Sequence, residues 1–150
     1  MYHWRRNRIL LDLDRAKYLL KQESCTSVFC KGEITYIGRN RGVYDLVGLL
    51  SNGTDLKGFS AADQVVGKAV ALLLVLAKVK EIYAHVMSES AVCLLAYYGI
   101  ISSCDYTVPE ILNATQTEVC LIDQCVSNTK SPEEALQLMK NALKNIGDMC

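Results

Sequence analysis

The sequence predicts an α/β domain of three layers, with a mixed sheet between helices, and three observations carry that reading. β-rich and helical runs alternate as β-β-α-β-α-β-α, with helices between the later strands, which calls for a sheet flanked by helices. A chain of 150 residues with 51% apolar composition can bury one sizeable core and is too short for two ordinary domains. Ser131-Pro132-Glu133-Glu134 supplies an N-cap, an N1 proline and a capping-box glutamate in order, which fixes the start of a last helix carrying Ala135, Leu136, Met139 and Leu143. Residues 9–150 are accordingly read as one domain, and residues 1–8 as an N-terminal tail.

The elements follow along the chain. Ile9 to Gln22 sets Leu10, Leu13, Leu19 and Leu20 among charges, the pattern of an amphipathic helix. Thr26 to Cys30 and Glu33 to Ile37 are β-rich runs separated by Lys31-Gly32, a hairpin signal. Val43 to Leu50 suits a short helix that Ser51-Asn52-Gly53-Thr54 ends. Ser60 is read as an N-cap with Asp63 at the capping-box position, so a helix is expected from about Ala61 to Ala77. That helix is almost wholly apolar after Lys68 and belongs in the middle of the domain. Glu81 to Met87 reads as a buried strand. Ser88 then caps a helix that Gly99 ends in the C′ role. Ser102 to Val108 reads as a further strand, and Ile111–Leu112 and Val119–Val126 as short elements, the second helical. A fifth strand is not visible in this pattern.

Composition excludes several functions. Sixteen basic and sixteen acidic residues leave no net charge, which argues against nucleic acid or an anionic membrane as partner. Arg5, Arg6 and Arg8, beside His3 and Trp4, form one basic cluster, read as a solvated tail. Asp12, Asp14, Arg15 and Lys17 interrupt the apolar run that a secretory signal needs, and Ala69 to Ala77 falls short of the roughly 20 residues that span a bilayer. A cytoplasmic location is expected. The seven cysteines are odd in number and scattered, as reduced thiols are. Cys25 and Cys30 should lie on opposite faces of a strand, and Cys120 and Cys125 about 140° apart on a helix, so neither pair is set to chelate.

Four segments in order, Ala62-Asp63-Gln64-Val65-Val66-Gly67-Lys68-Ala69, Ser88-Glu89-Ser90, Val108-Pro109-Glu110-Ile111-Leu112-Asn113 and Cys120-Leu121-Ile122-Asp123, carry a resemblance. From about Leu10 to Leu143 the chain resembles a small bacterial family of unknown function placed in the cytidine deaminase-like fold. The resemblance implies a five-stranded sheet with a hairpin at one side and helices on both faces, and no known reaction. Leu121 and Asp123 depart from the Cys-Pro-Met-Glu usual in that family, and Ala114 stands where an arginine is common.

A zinc deaminase needs a His or Cys two residues before a glutamate, and a Pro-Cys-x-x-Cys, each at a helix start. Ala61-Ala62-Asp63 has the shape of His-Ala-Glu with the ligand erased, and Ser88 to Cys93 offers one cysteine where two are needed. Without the ion a lone carboxylate does not readily make hydroxide, so no metal and no cofactor is expected. Two converging helix starts would still present unpaired N–H groups. Asp63, Lys68, Ser88, Glu89, Asn113 and Cys120 are therefore the candidate ligand-binding residues, for a small nucleoside-like molecule. Gly67 is expected to permit close approach of another backbone or a ligand. Lys68 should reach solvent, pair with Asp63 or Glu89, or line a cavity. Two alternatives stay open: a metal-independent enzyme using Asp63 with Cys120 or Lys68, and a homo-oligomeric assembly subunit.

Overall fold

The structure, a computed structural model, describes residues 11–40, 42–129 and 131–146. The tail at residues 1–8, with its basic cluster, lies outside the described residues. Five strands form one mixed sheet in the order β2-β1-β3-β4-β5, and six helices accompany it among the described residues. Helix α1 (Asp12–Gln22) leads into the hairpin of β1 (Ser27–Lys31) and β2 (Ile34–Gly38). Then follow α2 (Tyr44–Ser51), β3 (Ser60–Val66), α3 (Lys68–Ala77), β4 (Glu81–Ser88), α4 (Glu89–Tyr97) and β5 (Ile101–Val108). Helices α5 (Leu121–Cys125) and α6 (Pro132–Ile146) complete the fold.

Strand β1 runs antiparallel to both β2 and β3, whereas β3, β4 and β5 are parallel. Parallel neighbours need crossover connections, which α3 and α4 supply. One sheet face is covered by α1, where Ala16 and Leu20 pack with Cys25, Val28, Cys30, Ala62 and Tyr83. The other carries the larger core, in which Phe29, Ala61, Ile82 and Ala84 of the sheet meet α2 through α6. The three layers are thus unequal.

The missing fifth strand is β3, hidden in the run expected to be helix from Ala61. The first half of the strand, Ser60-Ala61-Ala62, is buried whichever face a residue points to, so it shows no in-and-out alternation, and Ser60–Val66 merges in sequence with the apolar helix that follows it. Ser60 is no N-cap; its hydroxyl donates to Glu81 Oε2 at 2.6 Å on the adjacent strand. The helix itself begins seven residues later than expected, at Lys68, and is as central as its composition requires: Ala69 through Leu74 and Ala77 are buried.

Elsewhere the local signals hold. Gly32 adopts φ 59° in the hairpin turn. Ser88 Oγ accepts the Ala91 N–H at 3.2 Å as the cap of α4, and Gly99 follows that helix with φ 76°. Ser131 Oγ accepts the Glu134 N–H at 3.3 Å at the start of α6. The Glu134 carboxylate turns instead to the Thr129 hydroxyl, which accepts the Ser131 N–H at 3.3 Å. Cys25 and Cys30, expected on opposite faces, share one: Cys25 precedes β1, so strand parity does not relate the two.

Candidate functional site

The carboxyl ends of the parallel strands lie where β3 passes into α3 and β4 into α4. The turn at Gly67 is tight because something occupies the space a side chain would take. A Cβ on Gly67 would collide with Asp123 Oδ2 and stand 2.9 Å from Ile111 Cγ1. Its backbone is extended, at φ −100° and ψ −171°, so glycine is required here for room and not for torsion. Through that gap Asp123 Oδ1 accepts the Ala69 N–H at 2.9 Å, and the start of α3 is capped by a carboxylate from a distant part of the chain. Burial pushes the Asp123 carboxyl above its ordinary range, while the Ala69 and Lys68 N–H groups and the Lys68 charge pull it back. At each helix start one of the N–H groups expected to be unpaired has a partner: Asp123 accepts the Ala69 N–H of α3, and Ser88 the Ala91 N–H of α4.

Beside Gly67 lies a cavity of about 240 Å³. Its walls are mainly apolar, with Val43, Val70 and Ile111 among them, and its polar groups come from Thr26, Asp63, Gln64 and Asp123. Asp63 is half-buried on β3, paired across the sheet with Ser27 and Ala84. Its Oδ1 accepts the Val65 N–H at 3.2 Å. Burial raises its carboxyl to about 8, against the opposing pull of the Val65 and Gln64 N–H groups. The Thr26 hydroxyl is committed to the Asn40 carbonyl at 2.6 Å. A wider, more polar opening of about 640 Å³ adjoins the cavity and is lined by Lys68, Ser88, Ser90, Glu110, Glu118 and Gln124, among others. Ile111 and Asp123 line both compartments.

A model of a family described as a domain of unknown function, DUF1893, matches residues 15–143. The chain belongs to the DUF1893 family. No curated protein matches it. The crystal structure of a DUF1893 family protein from Thermotoga maritima, determined at 2.70 Å, is similar over 89% of this chain and 92% of that one, with a TM-score of 0.81 at 25% identity.

In this DUF1893 chain the six candidate residues do not converge on one point. Asp63 and Cys120 line the smaller cavity, and Lys68 and Ser88 the larger opening. Glu89 is exposed at the start of α4 and lines neither. Asn113 also lines neither; its Oδ1 accepts the Thr117 N–H at 3.0 Å and shapes the loop before α5. Asp63 does not stand at a helix start, as expected, but within β3, four residues before Gly67. Lys68 does not pair with Asp63 or Glu89; its Nζ donates to the Ser127 carbonyl at 2.8 Å. The approach that Gly67 permits is by side chains, not by backbone.

Cys25, Cys30, Cys93, Cys104 and Cys125 are free thiols in this family member. Cys120 is disulfide-bonded, which corrects the reading of all seven as reduced and removes the thiolate that a nucleophilic role for Cys120 requires. Among the described residues, no three His, Cys, Asp or Glu side chains are placed to hold a metal ion. No helix among them is long and apolar enough to cross a membrane. A further polar group lies elsewhere, on β4 and β5. Asp105 Oδ2 accepts the Tyr83 hydroxyl at 2.5 Å and lies 2.9 Å from His85 Nδ1. These bonds hold the Asp105 carboxyl below its usual range, and burial with the same contact raises Tyr83 to about 12. Only the register of parallel strands brings the three together, so their spacing in sequence carries no sign of it.

Proposed function

We propose that this DUF1893 chain is a deaminase-like domain that binds a small, nucleoside-like molecule without zinc chemistry, the ring entering the smaller cavity and a polar portion lying in the larger opening. The observation that carries this reading is the pair of compartments itself. A mainly apolar cavity with a few polar groups adjoins a polar opening across the shared wall of Ile111 and Asp123, at the carboxyl ends of β3 and β4. Open α/β sheets receive ligands at that edge. The sheet order with a hairpin at one side and helices on both faces supports the deaminase analogy. The residues do not fit zinc: the helix starts carry Gly67-Lys68-Ala69 and Ser88-Glu89-Ser90, which supply neither the His-x-Glu nor the paired cysteines of such a site.

A thermal-shift series with the full chain against bases, nucleosides and nucleotides tests this reading. A bound ligand at 100 times its Kd stabilises by about 2.7 kcal/mol, so the melting temperature should rise by several degrees for at least one compound class. No rise across the panel would overturn the reading.

A second reading, an oligomeric assembly subunit, is favoured by one surface. Strand β5 is an edge strand, and Tyr97, Ile101 and Tyr106 on or beside it are 83%, 66% and 63% exposed. Exposed apolar edge strands invite pairing with another chain. Sedimentation should then show a dimer that Ile101→Lys dissociates; a monomer at high concentration would refute it.

A further inference from the structure

Asp63 is the acidic side chain of the smaller cavity that is not committed to capping a helix, and what surrounds it narrows the ligand. Asp123, the other carboxyl in the wall, is held by the start of α3 at 2.9 Å from the Ala69 nitrogen. The Thr26 hydroxyl is spent on the Asn40 carbonyl. Among the described residues the cavity wall holds no basic side chain, so an anion entering this small, largely apolar space would lose its hydration and find no cationic partner. At about 240 Å³ the cavity lies below the roughly 300–1,000 Å³ that takes drug-sized ligands, so it suits one flat ring system.

A carboxyl group meets such a ring best along an edge that presents a ring nitrogen beside an amino group. Two parallel hydrogen bonds then form, one at each carboxyl oxygen. In its neutral form the acid donates one bond and accepts the other; in its ionised form it matches the protonated ring. The raised Asp63 carboxyl keeps the neutral form populated near pH 7. Gln64, half-buried in the same wall, adds a second donor and acceptor.

We propose, resting on the binding reading above, that Asp63 is the specificity-determining residue of this cavity and selects an amino-substituted nitrogen heterocycle over isosteric rings without that edge and over anionic rings.

Ligand-observed NMR on the full chain, with 2-aminopyridine, toluene and benzoate as probes of one size, tests this. 2-Aminopyridine should bind at least about tenfold more tightly than toluene, and benzoate more weakly than either, given that a good bidentate pair distinguishes ligands by about 1–3 kcal/mol. Asp63→Leu should abolish the preference while retaining toluene. Asp63→Asn, which keeps one donor and one acceptor, should preserve it. Equal binding of 2-aminopyridine and toluene, or a preference that survives Asp63→Leu, would overturn the assignment and leave the cavity a binding site. Failure of all three probes to bind would overturn the binding reading and the assignment with it.

Discussion

At pH 8 the Asp63→Asn variant is expected to exceed the parent chain in stability by about 2–4 kcal/mol, and at pH 4 to differ from it by less than about 0.5 kcal/mol. The sign follows from the proton. Burial raises the Asp63 carboxyl in the folded chain from 3.8 to about 8. Well below pH 4 it is protonated in both states. Between about 4 and 8 the folded chain keeps a proton that the unfolded chain has released, so the parent loses up to about 1.4 kcal/mol of stability per pH unit over that window. Water reaching the cavity reduces the total below the sum of those steps. Asparagine keeps an oxygen for the Val65 N–H and has nothing to ionise. Urea denaturation at pH 4.5, 6 and 8 reads the difference directly, and a gap between the two proteins that stays constant with pH would contradict the account of this carboxyl.

The second large effect is expected at Gly67. Replacing an extended-backbone glycine by alanine ordinarily stabilises a protein by about 0.4–1 kcal/mol, because the unfolded chain loses freedom. Here Gly67→Ala should instead destabilise by about 2–4 kcal/mol. The new methyl group displaces the Asp123 carboxylate from the start of α3 and presses on Ile111, 2.9 Å from the position it would take. The cap is lost and a buried carboxyl loses its partner. Asp123→Ala alone should cost less, about 1–2 kcal/mol, as loss of a helix cap does. The two changes together should fall well short of their sum, because each removes the same contact. Additive losses in denaturation experiments would show that Gly67 and Asp123 act separately.

Much of this architecture is legible in the sequence, and the places where it is not share a physical cause. The hairpin, the central apolar helix, the cap at Ser88 and the start of the last helix are written in local chemistry, and the chain folds accordingly. Strand β3 is different. It is the middle strand of five, covered on both faces, so Ser60-Ala61-Ala62 carries no alternation, and Asp63 three residues after Ser60 imitates a capping box. Its pattern therefore puts the helix start at Ala61 where the structure has Lys68, and sets Asp63 on a helix where the structure has a strand. The site suffered more than the fold. Asp63 and Cys120 come together, as do Lys68 and Ser88, yet the residue that joins the two compartments, Asp123, stands 54 positions from the Ala69 nitrogen it binds. In the sequence it registers merely as an acid where the family's motif has a longer one. Tyr83, His85 and Asp105 meet across parallel strands whose register no local pattern reveals.

The carboxylate of Asp123 has a bearing on how any visitor would be received. A helix start is ordinarily a pole of positive potential that draws in phosphates and other anions from a distance. In this chain the pole at α3 is already neutralised from within. Inside the smaller cavity that leaves shape, apolar contact and the direction of individual hydrogen bonds, while the charges of Lys68, Glu110 and Glu118 lie in the opening beside it. A ring held in the cavity would be recognised by fit after arrival and not by attraction before it, and the start of α3 would add little salt dependence to its affinity.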